Sequence, residues 1–270
     1  MIIFSNCKIN LGLRIMRKRN DGYHDLETVF YPIPLQDVIE VIRSGHDMQF
    51  TTSGLAIDGA PENNLCMKAY TLLKQRFNLP PIQLHLHKVI PSGAGLGGGS
   101  ANAALTLQLL NNKLNLGLST ERLLDLALQL GSDCPFFIIN KPCYATGRGE
   151  ILETIDLSRL RGYKLVLVNP GIHVSTAMAF SMIKPSQPEK PVREIVAQPV
   201  NTWKQELVND FEEAVVSTHP VIGQIRQTLY DSGAVYAAMS GSGSTVYGLF
   251  EQMPDARFDE KYFVRRFELD

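Results

Sequence analysis

An α+β fold is predicted for this chain of 270 residues. Some segments alternate apolar and polar residues with the period of two that is typical of strands, and others show the spacing of amphipathic helices. The two kinds of segment do not follow each other in a regular βαβ order, which favours α+β over α/β. A hydrophobic share of 44% and a charged share of 20% are typical of a globular protein, and the length accommodates two domains of ~100 to 200 residues.

The first predicted element is a strand with polar side chains on one face. From residue 7 to residue 15 the odd positions are apolar, and the even positions are Lys8, Asn10, Gly12 and Arg14. Successive side chains of a strand point to opposite faces, so we expect Lys8 and Asn10 to lie together, away from the core. The turn chemistry of Asn-Asp-Gly at residues 20–22 predicts a hairpin, and a second strand is predicted at residues 38–42.

The following elements place a glycine-rich segment, residues 91–101, between a strand and a helix. A helix is predicted at residues 65–77, and a strand at residues 82–86, where apolar residues alternate with polar ones. Helices are then predicted at residues 101–110 and at residues 119–130, the second between a serine cap and a terminal glycine.

The second half of the chain contains fewer clear signals. Residues 164–168 predict a central strand, and the proline-rich residues 184–199 predict an exposed loop. Helices are predicted around residues 203–216 and 220–232. A second glycine-serine turn and a last strand at residues 245–250 complete the predicted elements.

The glycine-rich segment is the strongest indication of a binding site. It ends at a predicted helix start, where free backbone amides favour anions, and its glycines let the backbone curl close to a ligand. The segment therefore predicts a phosphate site. The residues expected to bind the nucleotide are Pro91, Ser92, Gly93, Ala94, Gly95, Leu96, Gly97, Gly98, Gly99, Ser100 and Ala101. Valine at Gly97 or Gly98 is expected to abolish nucleotide binding and to leave the fold largely intact.

The glycines alone leave other interpretations open. A flexible linker is also rich in glycine, whereas the Walker pattern is excluded because no Gly-Lys-Ser or Gly-Lys-Thr closes the segment. Gly93, Gly95 and Gly98 satisfy the dinucleotide pattern G-x-G-x-x-G, with the acidic Glu121 further along the chain. A nicotinamide-dependent oxidoreductase and a nucleotide-binding protein without turnover therefore remain as alternatives, although Pro91 separates the strand from the glycines.

Several motifs resemble those of the GHMP kinases, named for galactokinase, homoserine kinase, mevalonate kinase and phosphomevalonate kinase. The segment from Pro91 to Ala104 resembles their ATP-binding motif. Lys-Ile-Asn-Leu at residues 8–11 and Arg-Asn-Asp-Gly-Tyr-His at residues 19–24 are similar to signatures of the members that phosphorylate a cytidine-diphosphate-linked polyol. Three further motifs are similar to motifs of those members and occur in the same order. They are Gly-Ser-Asp-Cys-Pro at 131–135, Asn-Asp-Phe-Glu at 209–212 and Met-Ser-Gly-Ser-Gly-Ser at 239–244.

The resemblance implies a two-domain kinase that uses ATP. Its N-terminal ATP-binding domain would span residues 1–152, and its C-terminal α/β sandwich domain, residues 153–270, would help to close a cleft over the substrate. The resemblance also implies that Lys8 and Asp133 form the catalytic pair. A carboxylate can accept the proton of the substrate hydroxyl, and an ammonium can orient it and offset charge on the transferred phosphoryl group. Local chemistry alone leaves ordinary interpretations open, a solvated lysine and a helix-start aspartate.

The substrate contacts are also implied by the resemblance. Tyr23 and Phe180 would stack on the cytosine ring, and His24 would read its edge. Without the resemblance, Tyr23 and His24 are equally ordinary hairpin residues, and Phe180 is equally a core residue. The remaining substrate-binding residues carried over are Asn10, Ser240 and Gly241. Mg²⁺ is expected to arrive with ATP and to touch Ser100.

Composition limits the partners of the chain. Lys and Arg number 26 and Asp and Glu number 27, which argues against a nucleic-acid-binding surface. No apolar run approaches the ~20 residues that span a membrane. Four cysteines without a C-x-x-C pair are too few for a disulfide framework, so we expect a cytoplasmic protein. His85 and His87 have no third ligand at metal spacing, so no metal site of the protein's own is expected; the sequence does not determine the oligomeric state.

Overall fold

The computed structural model describes residues 1–269 as a mixture of strands and helices. The strands are β1 (Ile2–Lys18), β2 (His24–Arg43), β3 (Gln49–Gly54), β4 (Ile82–Lys88), β5 (Cys143–Thr146), β6 (Ile151–Thr154), β7 (Lys164–Asn169), β8 (Tyr236–Met239), β9 (Val246–Phe250) and β10 (Phe263–Glu268). The α-helices are α1 (Leu65–Lys74), α2 (Gly98–Leu114), α3 (Thr120–Leu130), α4 (Cys134–Ile139), α5 (Thr176–Ser181), α6 (Val192–Val196), α7 (Trp203–Glu206), α8 (Phe211–Thr218) and α9 (Pro220–Asp231). Short 3₁₀ helices occupy Pro61–Asn63, Ser158–Leu160 and Val200–Thr202.

The chain divides into two compact units, each built from several segments. Unit 1 comprises residues 1–8, 34–92 and 97–141; unit 2 comprises residues 9–33, 93–96 and the chain from residue 142 onward. The long strands β1 and β2 contribute residues to both units. A domain boundary between residues 152 and 153 stays a prediction.

Unit 1 combines a small sheet with a group of helices. In the sheet, β3 is parallel to β4, and β4 is antiparallel to β2, with Ile39 opposite Leu86 and Val41 opposite Leu84. Helices α1, α3 and α4 all contact α2. Most side chains of α2 between Ala101 and Leu110 are buried, because its sequence is apolar around most of the helix, as a central helix requires.

Unit 2 contains a four-stranded antiparallel sheet in the order β10-β7-β9-β8. Its interior strands β7 and β9 are apolar runs whose side chains are almost all buried. Helix α9 packs on β8 and β9, and α8 packs on α9. The resulting core includes Phe211, Ile225, Leu229 and Val246. The short strands β5 and β6 pair with each other, and β5 pairs with β2.

The predicted α+β class is confirmed, and so are the stronger local signals. The strand at residues 7–15 lies within β1, the turn at 20–22 follows it with Gly22 at φ +85°, and β4 leads into the glycine segment and α2. The helix predicted at 119–130 is α3, and Ser119 caps it by accepting a hydrogen bond from the Arg122 amide. The predicted helix 65–77 ends earlier, at Lys74.

The prediction that one face of β1 is exposed is wrong. Lys8 and Asn10 are only 3% and 2% exposed, while Ile9 and Leu11 on the other face are completely buried. Both faces of this strand are covered, so its polar side chains lie in the interior. A polar group in such a place needs a partner, which makes these two residues informative for function.

Three predictions in the second half are wrong as well. The proline-rich interval is not all exposed loop, because α6 forms within it and buries Val192, Ile195 and Val196. The helix predicted at residues 203–216 is two helices, α7 and α8, separated by a segment with its own hydrogen bonds. The strand at 245–250 is not the last, since β10 follows and pairs with β7 along six residues.

All four cysteines, Cys7, Cys66, Cys134 and Cys143, are free and buried. Burial raises the pKa of the Cys134 thiol to about 12. None of the helices in the described part of the chain has the length and hydropathy that a bilayer span needs.

Candidate active site

The glycine segment leaves β4 and enters α2, as its sequence requires. Gly93, Gly95 and Gly97 all have positive φ, between 62° and 76°, a region that L residues with a side chain rarely adopt. Within residues 91–101, Ser92, Gly93 and Gly99 are exposed; Ala94, Leu96, Gly98 and Ala101 are buried; Pro91, Gly95, Gly97 and Ser100 are intermediate. The buried side chains of Ala94, Leu96 and Ala101 therefore anchor the segment in the interior.

Backbone and hydroxyl groups of unit 2 hold the middle of this segment. The amide of Thr245 donates to the Ala94 carbonyl at 3.2 Å, and the hydroxyl of Ser240 donates to the Gly95 carbonyl at 2.9 Å. A Cβ on Gly95 would lie 2.0 Å from the Ser240 carbonyl oxygen. Only glycine fits at this position.

The start of α2 is equally restricted. Gly97 is the N-cap residue in the left-handed conformation, and a Cβ there would lie 3.1 Å from Lys8 Cε and 3.0 Å from Phe137 Cζ. A Cβ on Gly98 would lie 2.9 Å from Ile90 Cγ2 and 3.1 Å from Lys88 Nζ. The expectation that valine at Gly97 or Gly98 leaves the fold intact is therefore wrong, because both positions are packed.

Lys8 and Asp133 meet in unit 1, although they are far apart in the sequence. Lys8 Nζ lies 3.5 Å from Asp133 Oδ2, and the two side chains are 4% and 35% exposed. Asp133 is the N-cap residue of α4, next to Cys134 and Pro135. The pair thus has one buried cation and one accessible carboxylate, beside Gly97 in the glycine segment.

Asn10, Ser240 and Gly241 come together in unit 2. The Asn10 amide donates to Ser240 Oγ at 3.2 Å, and its side chain donates to Thr28 Oγ1 at 3.0 Å. A Cβ on Gly241 would lie 3.3 Å from Asn10 Oδ1. One hydroxyl, that of Ser240, therefore joins the strand residue Asn10 to the glycine segment.

The three residues assigned to the cytosine ring also lie in unit 2. His24 stacks on Phe180 with centroids 4.8 Å apart and planes inclined by 17°. Phe180 also contacts Phe211 edge to face. Tyr23 is 53% exposed, and the Arg148 guanidinium lies 4.7 Å from its ring centroid. Burial, and after it the charge of Lys18, lowers the pKa of His24, so its ring is held neutral.

The motif at 209–212, to which the resemblance assigned no role, shapes these loops. Asn209 donates from its side-chain amide to the carbonyls of Met239 and Gly241, both at 2.8 Å, and the Glu212 carboxylate accepts from the Met239 amide at 3.2 Å. The motif at 209–212 therefore supports the second glycine-serine turn. The sequence also contains a signal for a buried charge in β2. Asp37 takes a place in the alternating pattern that apolar residues occupy at Leu35 and Ile39, and all three side chains are buried.

No group of three or more His, Cys, Asp or Glu side chains within residues 1–269 is arranged to hold a metal ion. His85 instead hydrogen-bonds with Thr51 and Ser53 on β3, and Ser53 with His87. These histidines form a polar ladder on the sheet surface.

Family models match both halves of the chain. The model described as GHMP kinases N terminal domain matches residues 64–141, and the model described as GHMP kinases C terminal matches residues 193–266. The first range contains the glycine segment and Asp133; the second contains the motif at 209–212 and the second glycine-serine turn.

Curated relatives and solved structures agree with these models. The chain is 54% identical to a 4-diphosphocytidyl-2-C-methyl-D-erythritol kinase of Bacteroides fragilis, over 99% of this chain and 97% of the relative. It is 39% identical to the protein of that name in Chlorobium phaeobacteroides, over 96% and 92% of the two chains.

A crystal structure of 4-(cytidine 5'-diphospho)-2C-methyl-D-erythritol kinase superposes with a TM-score of 0.78 at 30% identity, covering 92% of this chain and 90% of the other. The Methanococcus jannaschii mevalonate kinase shares the fold with a TM-score of 0.70 at 14% identity, covering 100% and 98%. The chain therefore belongs to the 4-diphosphocytidyl-2-C-methyl-D-erythritol kinase family of the GHMP kinases.

Proposed function

We propose that this protein transfers the terminal phosphoryl group of ATP to the 2-hydroxyl of 4-diphosphocytidyl-2-C-methyl-D-erythritol, a step of the non-mevalonate route to isoprenoid precursors. The observation that carries the proposal is the Lys8–Asp133 pair, 3.5 Å apart, beside a glycine segment built for phosphate. Relatives of known name over nearly the whole chain supply the substrate.

Asp133 has the properties of the general base. Its carboxylate is about one-third exposed, so a hydroxyl can reach it, and it lies at the start of α4 next to Lys8. The carboxylate accepts the hydroxyl proton, the substrate oxygen forms a bond to the γ-phosphorus, and the bond from that phosphorus to the bridging oxygen breaks, releasing ADP.

Lys8 orients this base and stabilises charge in the transition state. Its buried stem packs against Gly97, which fixes the position of the ammonium. A fixed positive charge in a poorly hydrated place stabilises developing negative charge better than a mobile surface lysine does. Lysine in this role needs no change of protonation during the reaction.

The glycine segment supplies donors for the nucleotide phosphates. Its positive-φ glycines and the free first amides of α2 can face an anion without interference from a Cβ. Mg²⁺ bound to the phosphates would neutralise part of their charge, and the half-buried hydroxyl of Ser100 is the side chain that the helix start offers to it.

Cytosine recognition is proposed for Tyr23, His24 and Phe180. The neutral His24 ring can present one donor and one acceptor to a base edge. The exposed Tyr23 face and the neighbouring Phe180 provide aromatic surface. Asn10, Ser240 and Gly241, which contact one another, are proposed to bind the polyol end. All four thiols are unpaired, which supports action in the cytoplasm.

The proposal is tested by incubating the protein with ATP, Mg²⁺ and the cytidine-linked polyol. We expect ADP release and a product heavier by one phosphoryl group, whose position phosphorus NMR assigns to the 2-hydroxyl. The Asp133→Asn variant is the control for contaminating kinases, because it should release almost no ADP. Turnover of mevalonate or homoserine in place of the polyol, or no turnover, would contradict the proposal.

A further inference from the structure

A second ion pair is buried in unit 1, next to the start of α2. Lys88 Nζ donates to Asp37 Oδ2 at 2.5 Å, and the side chains are 4% and 0% exposed. The register in which Val38 faces His87 continues by one step to place Asp37 opposite Lys88. Because both ions lose their hydration, such a pair adds little net stability. Its function is indicated by what else Asp37 binds.

The Asp37 carboxylate binds both ends of the glycine segment. Oδ1 accepts hydrogen bonds from the amides of Val89 and Ile90, the last residues before Pro91, at 2.7 and 2.8 Å. Oδ2 accepts from the side-chain amide of Asn102 on α2 at 2.9 Å. A single buried carboxylate therefore ties the exit of β4 to the first turns of α2.

The other members of the group complete this connection. Asn102 also donates to Ser5 Oγ on β1 at 3.1 Å. A Cβ on Gly98 would lie 3.1 Å from Lys88 Nζ. The ammonium therefore packs against Gly98, the first residue of α2. The amides of Val89 and Ile90 fix the backbone before the glycine segment through Asp37, and the Asn102 side chain fixes the helix after it.

From this geometry we infer that Asp37, Lys88 and Asn102 are positioning residues that hold the glycine segment in its ATP-binding conformation. The inference rests on the proposed kinase function. None of the three is assigned to the nucleotide; they act through Ile90 and Gly98. Backbone amides bind phosphate well only when they are already in place, because ordering a loose segment subtracts from the binding free energy.

Two variants test the network. Asn102→Ala removes the tie to α2, keeps the ion pair and introduces a good helix former. Asp37→Asn keeps an acceptor for the Val89 and Ile90 amides but turns an NH₂ group toward Lys88 and Asn102. Each should raise the KM for ATP roughly tenfold, as expected for a lost hydrogen bond to a charged group. The KM for the polyol should stay within about twofold. A general loss of folded protein would lower Vmax and leave both KM values unchanged, so a rise confined to the KM for ATP separates the two causes.

Asn111→Ala is the matched control at the other end of α2. The Asn111 side chain exchanges two hydrogen bonds with the backbone of Leu118, at 3.1 and 2.9 Å. Its loss should lower the melting temperature and leave the KM for ATP unchanged. Hydrogen exchange of the amides at residues 89–104 gives a second readout, which should accelerate in Asn102→Ala and not in Asn111→Ala.

The inference is overturned if Asn102→Ala keeps the wild-type KM for ATP, or if Asn111→Ala raises that KM equally. Should Asp37→Asn not fold, Asn102→Ala decides alone. If the wild-type protein does not phosphorylate the polyol, the proposed function fails, but the network can still be tested by calorimetric titration of ATP. A tenfold weaker ATP affinity in Asn102→Ala than in wild type supports the network. An ATP affinity equal to that of wild type overturns it.

Discussion

Lys8 and Asp133 carry the most direct test at the scale of single residues. Asp133→Asn keeps the shape of the side chain and removes the proposed base, and Lys8→Met keeps the length of the side chain and removes the charge. We expect each to lower kcat by about 10²- to 10⁴-fold, with smaller changes in KM, because the proposed mechanism has both residues act on the transition state. Steady-state kinetics on variants with verified melting curves measures this.

The control for Lys8→Met is Lys164→Met, which removes a 2.8 Å ion pair between the half-buried Lys164 and the exposed Glu268 on neighbouring strands. It should leave kcat near the wild-type value. A near-native kcat in Asp133→Asn or Lys8→Met would contradict the catalytic role proposed for that residue and leave it as a structural side chain.

His24 predicts a dependence of stability on pH. Its pKa is lowered from 6.5, chiefly by burial against its surroundings. The unfolded chain therefore takes up the proton first as pH falls, so this contribution to stability is complete above the unfolded pKa and is lost as pH falls from 6.5 through the folded pKa. Denaturant unfolding between about pH 7 and pH 5 should show a smaller loss in His24→Phe, which keeps an aromatic ring without a titrating group.

An equal loss of stability in wild type and His24→Phe would contradict this assignment. The ring resonances of His24, followed by NMR, provide an independent measurement, and their midpoint should lie below the value of 6.5 typical of an unperturbed histidine.

Neighbouring glycines at the start of α2 should respond oppositely to alanine. A Cβ on Gly98 meets Ile90 at 2.9 Å, whereas a Cβ on Gly99 makes only an ordinary contact with Leu65 at 3.5 Å. Gly98→Ala should therefore destabilise by ~1 to 3 kcal/mol through overpacking, and Gly99→Ala should be neutral or stabilising by up to ~1 kcal/mol through helix propensity. Urea denaturation of the pair measures the difference; equal stabilities would show that the Gly98 site can relax.

Elements with a regular apolar period were predictable, and those held by distant contacts were not. The sequence around β4 and α2 carries period and turn chemistry that agree with the fold. Short elements such as α6 and α7 have too few residues to be stable alone, so burial against the rest of unit 2 decides them. Strand β10 was missed because only its pairing with β7 distinguishes its charged sequence from a loop.

The whole molecule should be stabilised by the correct nucleotide. A ligand that binds only the folded state raises the free energy of unfolding by about 2.7 kcal/mol when present at 100 times its Kd. ATP with Mg²⁺ should therefore raise the melting temperature, while NAD and NADP should leave it unchanged. Stabilisation by NAD would revive the dinucleotide interpretation of Gly93, Gly95 and Gly98.

For the whole molecule, the glycine segment alone predicted a phosphate site but did not distinguish ATP from a nicotinamide dinucleotide. The choice came from the resemblance carried by several motifs together, and the relatives confirm the kinase family. What no local pattern could provide is the meeting of Lys8 with Asp133, which depends on how β1 and α4 pack within unit 1. Likewise, Lys8 looked like a surface residue because the second layer covering β1 is remote in sequence.

The burial of all four thiols makes this chain a convenient host for site-specific spectroscopic labels. A thiol with a pKa of about 12, like that of Cys134, is almost entirely protonated near neutral pH and reacts slowly with maleimides and iodoacetamides. A cysteine introduced at Ile151, which is 62% exposed, would therefore be modified first without removal of the native ones. Fluorophores or spin labels could then report on the enzyme during turnover in an otherwise unaltered protein.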